Sequence, residues 1–135
     1  GNRVLSVIAG RSKDLVILED EVRESSDGLT VMTDDGSYGQ KGLVTEGIDQ
    51  WVQQEHVDKI FAIGPPIMMK FCSLLAQKHN IPSEVSLNTI MVDGTGMCGA
   101  CRVTVGGRTR FVCVEGPEFN AHEIDFDELL MRLRG

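Results

Sequence analysis

Residues 59–75 read KIFAIGPPIMMKFCSLL. This stretch decides the fold class. Lys59-Ile-Phe-Ala-Ile63 is a short apolar run of strand type, closed by Gly64-Pro65-Pro66. Ile67, Met68, Phe71, Leu74 and Leu75 then recur at i, i+1, i+4, i+7 and i+8, which is one face of a helix. Pro66 suits the first helical turn, where its missing N–H costs nothing. Asn80 and Pro82 end the helix. A buried strand followed directly by an amphipathic helix is a βα unit.

The same alternation extends toward the N-terminus. Val4-Leu-Ser-Val-Ile-Ala9 is a buried strand ending at Gly10. Asp14–Glu24 (DLVILEDEVRE) is expected to be a short helix, with Asp14 near its start. Gly28 breaks it, and Leu29-Thr-Val-Met32 is a second strand. Asp34–Gly39 is rich in turn residues. From about Gly42 to Glu55, Val44, Ile48, Trp51 and Val52 fall on one helical face. Residues 1–82 therefore predict an α/β fold with a parallel sheet. Ligands of such sheets bind at the carboxyl ends of the strands. The loops Gly10-Arg11-Ser12, Asp34–Gly39 and Gly64-Pro65-Pro66 all lie at such ends. No Gly-x-Gly-x-x-Gly follows a strand, so either this is not a nucleotide domain or its first βα unit is missing from the chain.

After Pro82 the texture changes. Glu84–Asn88 is expected as one more strand. Residues 91–101 (MVDGTGMCGAC) form a loop rich in glycine and cysteine. Arg102–Val105, Gly106-Gly107 and Arg108–Cys113 predict a β-hairpin. Residues 125–134 (DFDELLMRLR) predict a closing helix, with acids in the first turn and arginines in the last to match its dipole. The expected division is 1–82 and 83–135.

The 135 residues are 41% apolar, enough for a packed core, and carry a net charge of −7. An acidic balance argues against nucleic acid and anionic membranes as partners, because phosphate binding needs a basic face. No run of ~18 apolar residues occurs, and no signal peptide is read, so the expected location is cytoplasmic. Of the four cysteines, Cys72 stands alone and reads as core, while Cys98, Cys101 and Cys113 lie close together. Three clustered cysteines in such a chain argue for metal or redox chemistry over a disulfide framework.

Asp93-x4-Cys98-x2-Cys101…Cys113 has the spacing of plant-type [2Fe–2S] loops, with Asp in the first ligand position. Two irons and two sulfides need four anionic ligands within a few ångströms. A tight loop supplies three of them, and the fourth is expected from the far arm of the hairpin. Gly94, Gly96 and Gly99 let the backbone wrap closely. A carboxylate is a harder ligand than a thiolate, yet it suits iron. Other readings stay open at this point. The cysteines are small core residues, or they bind structural zinc with His122 or Asp93 completing the site, or Cys98-x-x-Cys101 is a thiol–disulfide pair. Asp93 has its own alternative, a turn carboxylate that caps nearby N–H groups.

The runs MVDGTGMCGACRVTVGG (91–107) and FVCVEGPEFNAHEIDFDEL (111–129) resemble the C-terminus of the small, flavin-bearing subunit of NADH-dependent ferredoxin:NADP⁺ oxidoreductase, a subunit type also called sulfide dehydrogenase. The related electron-transfer subunit of dihydroorotate dehydrogenase normally has cysteine as its first ligand. Asp93 therefore points to the first branch. Residues 10–19 (GRSKDLVILE), 34–46 (DDGSYGQKGLVTE) and 64–69 (GPPIMM) are similar to the later part of that family's ferredoxin-reductase-type nucleotide domain. The family begins with an FAD-binding barrel and the glycine-rich first βα turn. Neither is read here, so the chain is expected to be a C-terminal fragment.

The resemblance implies that Asp93, Cys98, Cys101 and Cys113 hold the cluster. It places Gly64, Pro65, Pro66 and Met68 near a nicotinamide, against the reading of a plain strand-to-helix turn with a core methionine, and Gly10, Arg11 and Ser12 near a phosphate of the same nucleotide, against the reading of solvated surface charge. Asp35, with Asp34 and Ser37, lines the ribose or only makes a turn. NAD(P) is then bound in part, and FAD only in a full-length protein. The implied partner is a larger flavin and [4Fe–4S] subunit. His122 is expected as a surface loop residue.

Overall fold

The computed structural model describes residues 1–134. It separates into two compact units, one spanning Gly1–Val57 and a second beginning at Asp58.

In the first unit, β1 (Leu5–Gly10) runs parallel to β2 (Gly28–Thr33), with Leu5 opposite Gly28 and Gly10 opposite Thr33. A short β3 (Gln40–Lys41) extends β2 on its other side, also in parallel. β1 therefore stands at the edge of this sheet. Helix α2 (Val44–Gln54) packs on β1 and β2, with the Trp51 indole lying over Gly28. Its first turn is closed reciprocally. Glu46 N–H donates to the Leu43 carbonyl at 3.0 Å, and Leu43 N–H donates to Glu46 Oε1 at 3.2 Å.

The helix expected over Asp14–Glu24 is split. Lys13–Leu15 forms a single 3₁₀ turn, and α1 begins only at Glu19 and runs to Ser25. Leu18 takes a left-handed backbone (φ 58°), which no continuous helix accommodates. Val16 is extended, Ile17 and Leu18 stay exposed, and the acids Glu19, Asp20 and Glu21 gather where the helix dipole favours negative charge.

The second unit opens with β4 (Ile60–Ile63), then α3 (Pro66–Lys78) and β5 (Ser83–Ser86), which pairs in parallel with β4. The parallel pairing expected from the strand–helix alternation is thus present in both units. Pro66 occupies the first turn of α3, and Asn80 ends the chain's helical path with φ 55°. β6 (Arg102–Val105) and β7 (Arg108–Phe111) form the expected hairpin, turning at Gly106-Gly107. A one-turn helix α4 (Val112–Glu115) follows. β8 (Glu118–Asn120) then pairs antiparallel with β5, and α5 (Phe126–Arg134) packs on α3 and β6. Of the arginines expected in its last turn, Arg132 is described, and the Arg134 side chain lies outside the described residues.

The core of this unit is built by Met69, Cys72 and Ala76 on one face of α3 against Val85, Val103, Val112, Ala121 and Leu129, all nearly or fully buried. These contacts place the unit boundary at Val57–Asp58, ahead of the textural change after Pro82, because β4 and α3 share a core with β5, β8 and α5. Within this unit β4 pairs with β5 alone among the described strands, and its Phe61 and Ile63 are exposed, with the Lys59 ammonium 4.9 Å from the centre of the Phe61 ring. Among the described residues, no helix is long and apolar enough to cross a membrane.

Candidate metal centre

The cysteine loop is hung between two fixed points. At its start Leu87 is buried, and its N–H donates to the Pro117 carbonyl at 2.9 Å. At its end Cys101 is 3% exposed and leads into β6. Between them the chain forms no regular element and is shaped by its own polar groups. Thr95 N–H donates to Asp93 Oδ1 at 2.8 Å, Met97 N–H to Thr95 Oγ1 at 3.3 Å, and Ala100 N–H to Cys98 Sγ at 3.5 Å. Gly96 is required here. Its φ is +84°, and a Cβ would come within 2.8 Å of a Val114 methyl.

Cys113 reaches the loop by a different route from the one expected. β7 stops at Phe111, and Cys113 sits in α4 rather than on the hairpin arm. The chain bends because the Glu115 carboxylate gathers the end of the strand. It accepts from Phe111 N–H at 2.8 Å and from Arg110 Nη1 at 2.6 Å, while Val112 N–H donates to the Cys101 carbonyl at 3.3 Å. The Cys101 and Cys113 sulfurs are 3.3 Å apart as a result.

The electrostatics divide the four donors into two pairs. The Cys113 N–H, and after it the contact with the Cys113 sulfur, hold the Cys101 thiol below its ordinary range. The same contact with Cys101 keeps the Cys113 thiol up in turn. The Asp93 carboxyl lies below the usual carboxylate range, first through Thr95 N–H, with smaller help from the Thr95 hydroxyl and from Cys98. Asp93 thus makes the turn and also faces Cys98. Among the described residues, no three His, Cys, Asp or Glu side chains converge on one metal-sized point. The donor set fits a [2Fe–2S] cluster in type and charge: one carboxylate and three sulfurs, two of them already in contact. His122 is not a loose surface residue. It is half-buried, and its Nε2 meets the Ile81 carbonyl at 3.0 Å.

The residues expected to touch a nucleotide fall into separate units. In the first, the loops after β1 and β2 are stitched together. Asp34 N–H donates to the Gly10 carbonyl, Asp35 N–H to the Arg11 carbonyl, and Lys13 N–H to Ser37 Oγ at 2.8 Å. Gly10, Arg11, Ser12 and Asp35 are therefore neighbours, with the Arg11 side chain exposed. Asp35 accepts from Ser37 N–H at 2.9 Å, and its bonds to Ser37 hold the carboxyl below its ordinary range. In the second unit, Gly64, Pro65 and Pro66 join β4 to α3. The Met68 side chain folds back over Gly64, where a Cβ would collide with its methyl group. Cys72 is fully buried beneath them and gives a 3.4 Å contact to Met68 Sδ.

Comparison with known proteins bears on the cysteine loop first. Residues 88–125 match the family described as the iron–sulfur cluster binding domain of dihydroorotate dehydrogenase B. The cysteine loop therefore lies in a segment similar to iron–sulfur cluster binding domains. Beyond it, the chain is 56% identical over 133 residues to a Thermotoga maritima protein named as a dihydroorotate dehydrogenase B (NAD⁺) electron transfer subunit homolog, covering 98% of this chain and 47% of that one. A Streptococcus thermophilus dihydroorotate dehydrogenase B electron transfer subunit is 41% identical, with 88% of this chain and 46% of its own length covered. A solved structure of the NADH-dependent reduced ferredoxin–NADP oxidoreductase, described in connection with flavin-based electron bifurcation, superimposes with a TM-score of 0.88 at 54% identity. It covers 98% of this chain and 48% of that one. The chain is thus a homologue of oxidoreductase electron-transfer subunits and spans about half the length of the curated relatives it matches.

Two features around the cysteine loop escape a sequence reading. Val114 packs on Gly96 from a turn that looked like strand. Arg132, read only as a helix-dipole partner, donates from Nη2 to the Ala100 carbonyl at 3.1 Å, between Cys98 and Cys101. No local pattern announces a contact across 32 residues.

Proposed function

We propose that Asp93, Cys98, Cys101 and Cys113 hold a [2Fe–2S] cluster. On this reading the chain is the cluster-bearing part of a cytoplasmic electron-transfer subunit of a flavin-dependent NAD(P)H oxidoreductase. The observation that carries the reading is the return of Cys113 from α4 to within 3.3 Å of Cys101, inside the segment that matches an iron–sulfur domain. When bound, such a cluster passes one electron at a time. The chain's own part is to supply the four donors, to aim the Ala100 N–H at the Cys98 sulfur, and to keep Cys101 dry.

The ferredoxin:NADP⁺ oxidoreductase type is favoured by Asp93 and by the solved structure that covers nearly the whole chain. Its partner is then a larger flavin and [4Fe–4S] subunit. Pyridine nucleotide is held in part by Gly10, Arg11, Ser12 and Asp35 and in part by Gly64, Pro65, Pro66 and Met68, while FAD belongs to the remainder of a longer protein. The isolated chain is expected to lack dehydrogenase activity.

The test is a visible spectrum of protein purified without oxygen, with iron and sulfide measured on the same sample. Broad bands that bleach with dithionite and about two irons per chain support the reading. A colourless protein holding zinc, even after reconstitution with iron and sulfide, defeats it. A second reading, the electron-transfer subunit of dihydroorotate dehydrogenase, is favoured by the names of the relatives and of the matching family. Orotate-linked NADH oxidation by the full assembly, without ferredoxin-linked activity, selects it.

A further inference from the structure

We infer that Arg132 is a positioning residue for the cluster, holding a half-buried positive charge against the turn between Cys98 and Cys101 and so favouring the reduced form. The inference rests on the cluster reading above and adds to it a residue outside the ligand motif.

Two observations carry it. Arg132 Nη2 donates to the Ala100 carbonyl at 3.1 Å, and Ala100 lies between two of the proposed ligands and gives its own N–H to Cys98 Sγ. Arg132 Nη1 is buried and has no hydrogen-bond partner among the described residues. A guanidinium carries five N–H groups on a permanent charge, and a buried one without an acceptor is costly. An anionic group at the loop would relieve that cost. Four anionic ligands leave a [2Fe–2S] centre net negative, and reduction adds one more negative charge. A fixed cation beside the turn therefore stabilises the reduced state more than the oxidised one, while its bond to Ala100 holds the turn closed.

The experiment is a midpoint-potential titration, followed by electron paramagnetic resonance, on Arg132→Gln and Arg132→Lys proteins, with iron content measured in each. Arg132→Gln is expected to keep its iron and to lower the reduction equilibrium about tenfold, a shift of ~59 mV for a one-electron step. Arg132→Lys keeps the charge and recovers most of that shift. Full iron with an unchanged midpoint in Arg132→Gln overturns the inference. If Arg132→Gln takes up no iron, Arg132→Lys decides. A midpoint close to that of the parent protein supports the charge effect, and a tenfold fall despite the retained charge overturns it. Loss of iron from both variants also overturns it, leaving a purely structural anchor. A parent protein that binds no cluster defeats the cluster reading itself, which is a different result.

Discussion

Cys72 and the loop cysteines show how differently one residue type behaves at two depths. Burial pushes the Cys72 thiol up to about 11. The unfolded chain ionises this group near 8.5, so it loses its proton first as pH rises. The stabilisation is therefore full below about pH 8.5 and falls by ~1.4 kcal/mol per unit between there and 11. Urea unfolding at pH 8 and pH 10 is expected to show a smaller pH penalty for Cys72→Ala than for the parent. Gly96→Ala forces a side chain into a left-handed backbone and against Val114. A loss of about 1–2 kcal/mol is expected, read as a lower Tm together with reduced iron per chain. Asp93, Cys98 and Cys101 stand out as a set in the sequence because their spacing is local, and their ligand role rests on the proposal above. Asp93→Cys is expected to keep about two irons per chain while redistributing the visible bands, since a fourth thiolate joins the donors.

At the scale of elements, periodicity predicts what packing enforces. The helix over 66–78 was legible from the recurrence of Ile67, Met68, Phe71, Leu74 and Leu75, yet the stripe that α3 buries is Met69, Cys72 and Ala76, while Ile67, Phe71 and Leu74 stay exposed. Leu18 broke the expected first helix because its backbone angle is set by the chain around it, which no apolar pattern encodes. The turn at α4 was missed for a similar reason. Phe111-Val112-Cys113 has strand composition, and Glu115 overrides it by collecting two donors. The Phe111 N–H and then Arg110 hold the Glu115 carboxyl below its ordinary range. Its contribution is therefore present at neutral pH and lost as pH falls through the depressed value. Glu115→Ala is expected to loosen Cys113 and to speed iron release to a chelator several-fold, with a smaller change in Tm. Met69→Ala, by contrast, is expected to cost about 2–5 kcal/mol of stability, with the cluster's spectrum unchanged in the fraction that folds.

At the scale of the whole molecule, the division into two units assigns all four proposed ligands to the one that begins at Asp58. Its core is formed by α3, β5, β6 and α5 and does not depend on the loop, which has little buried surface of its own. Removing iron with a chelator is expected to leave the far-ultraviolet circular dichroism nearly unchanged while abolishing visible absorption. The sequence made the α/β class readable because every strand–helix alternation is local. It did not reveal where the units part, because that depends on which elements share a core.

The position of Lys59 carries a consequence for handling the protein. In the sheet of its own unit β4 is short, apolar and pairs with β5 alone among the described strands, and in the isolated chain such an edge lets one molecule serve as a template for the next. Lys59 stands at its entrance, with its ammonium over the Phe61 ring and 2.7 Å from Glu84. It acts as a gatekeeper that makes stacking of a second chain on this edge costly. Replacing it by alanine is expected to raise light scattering in concentrated stocks and to shorten their shelf life well before any loss of fold.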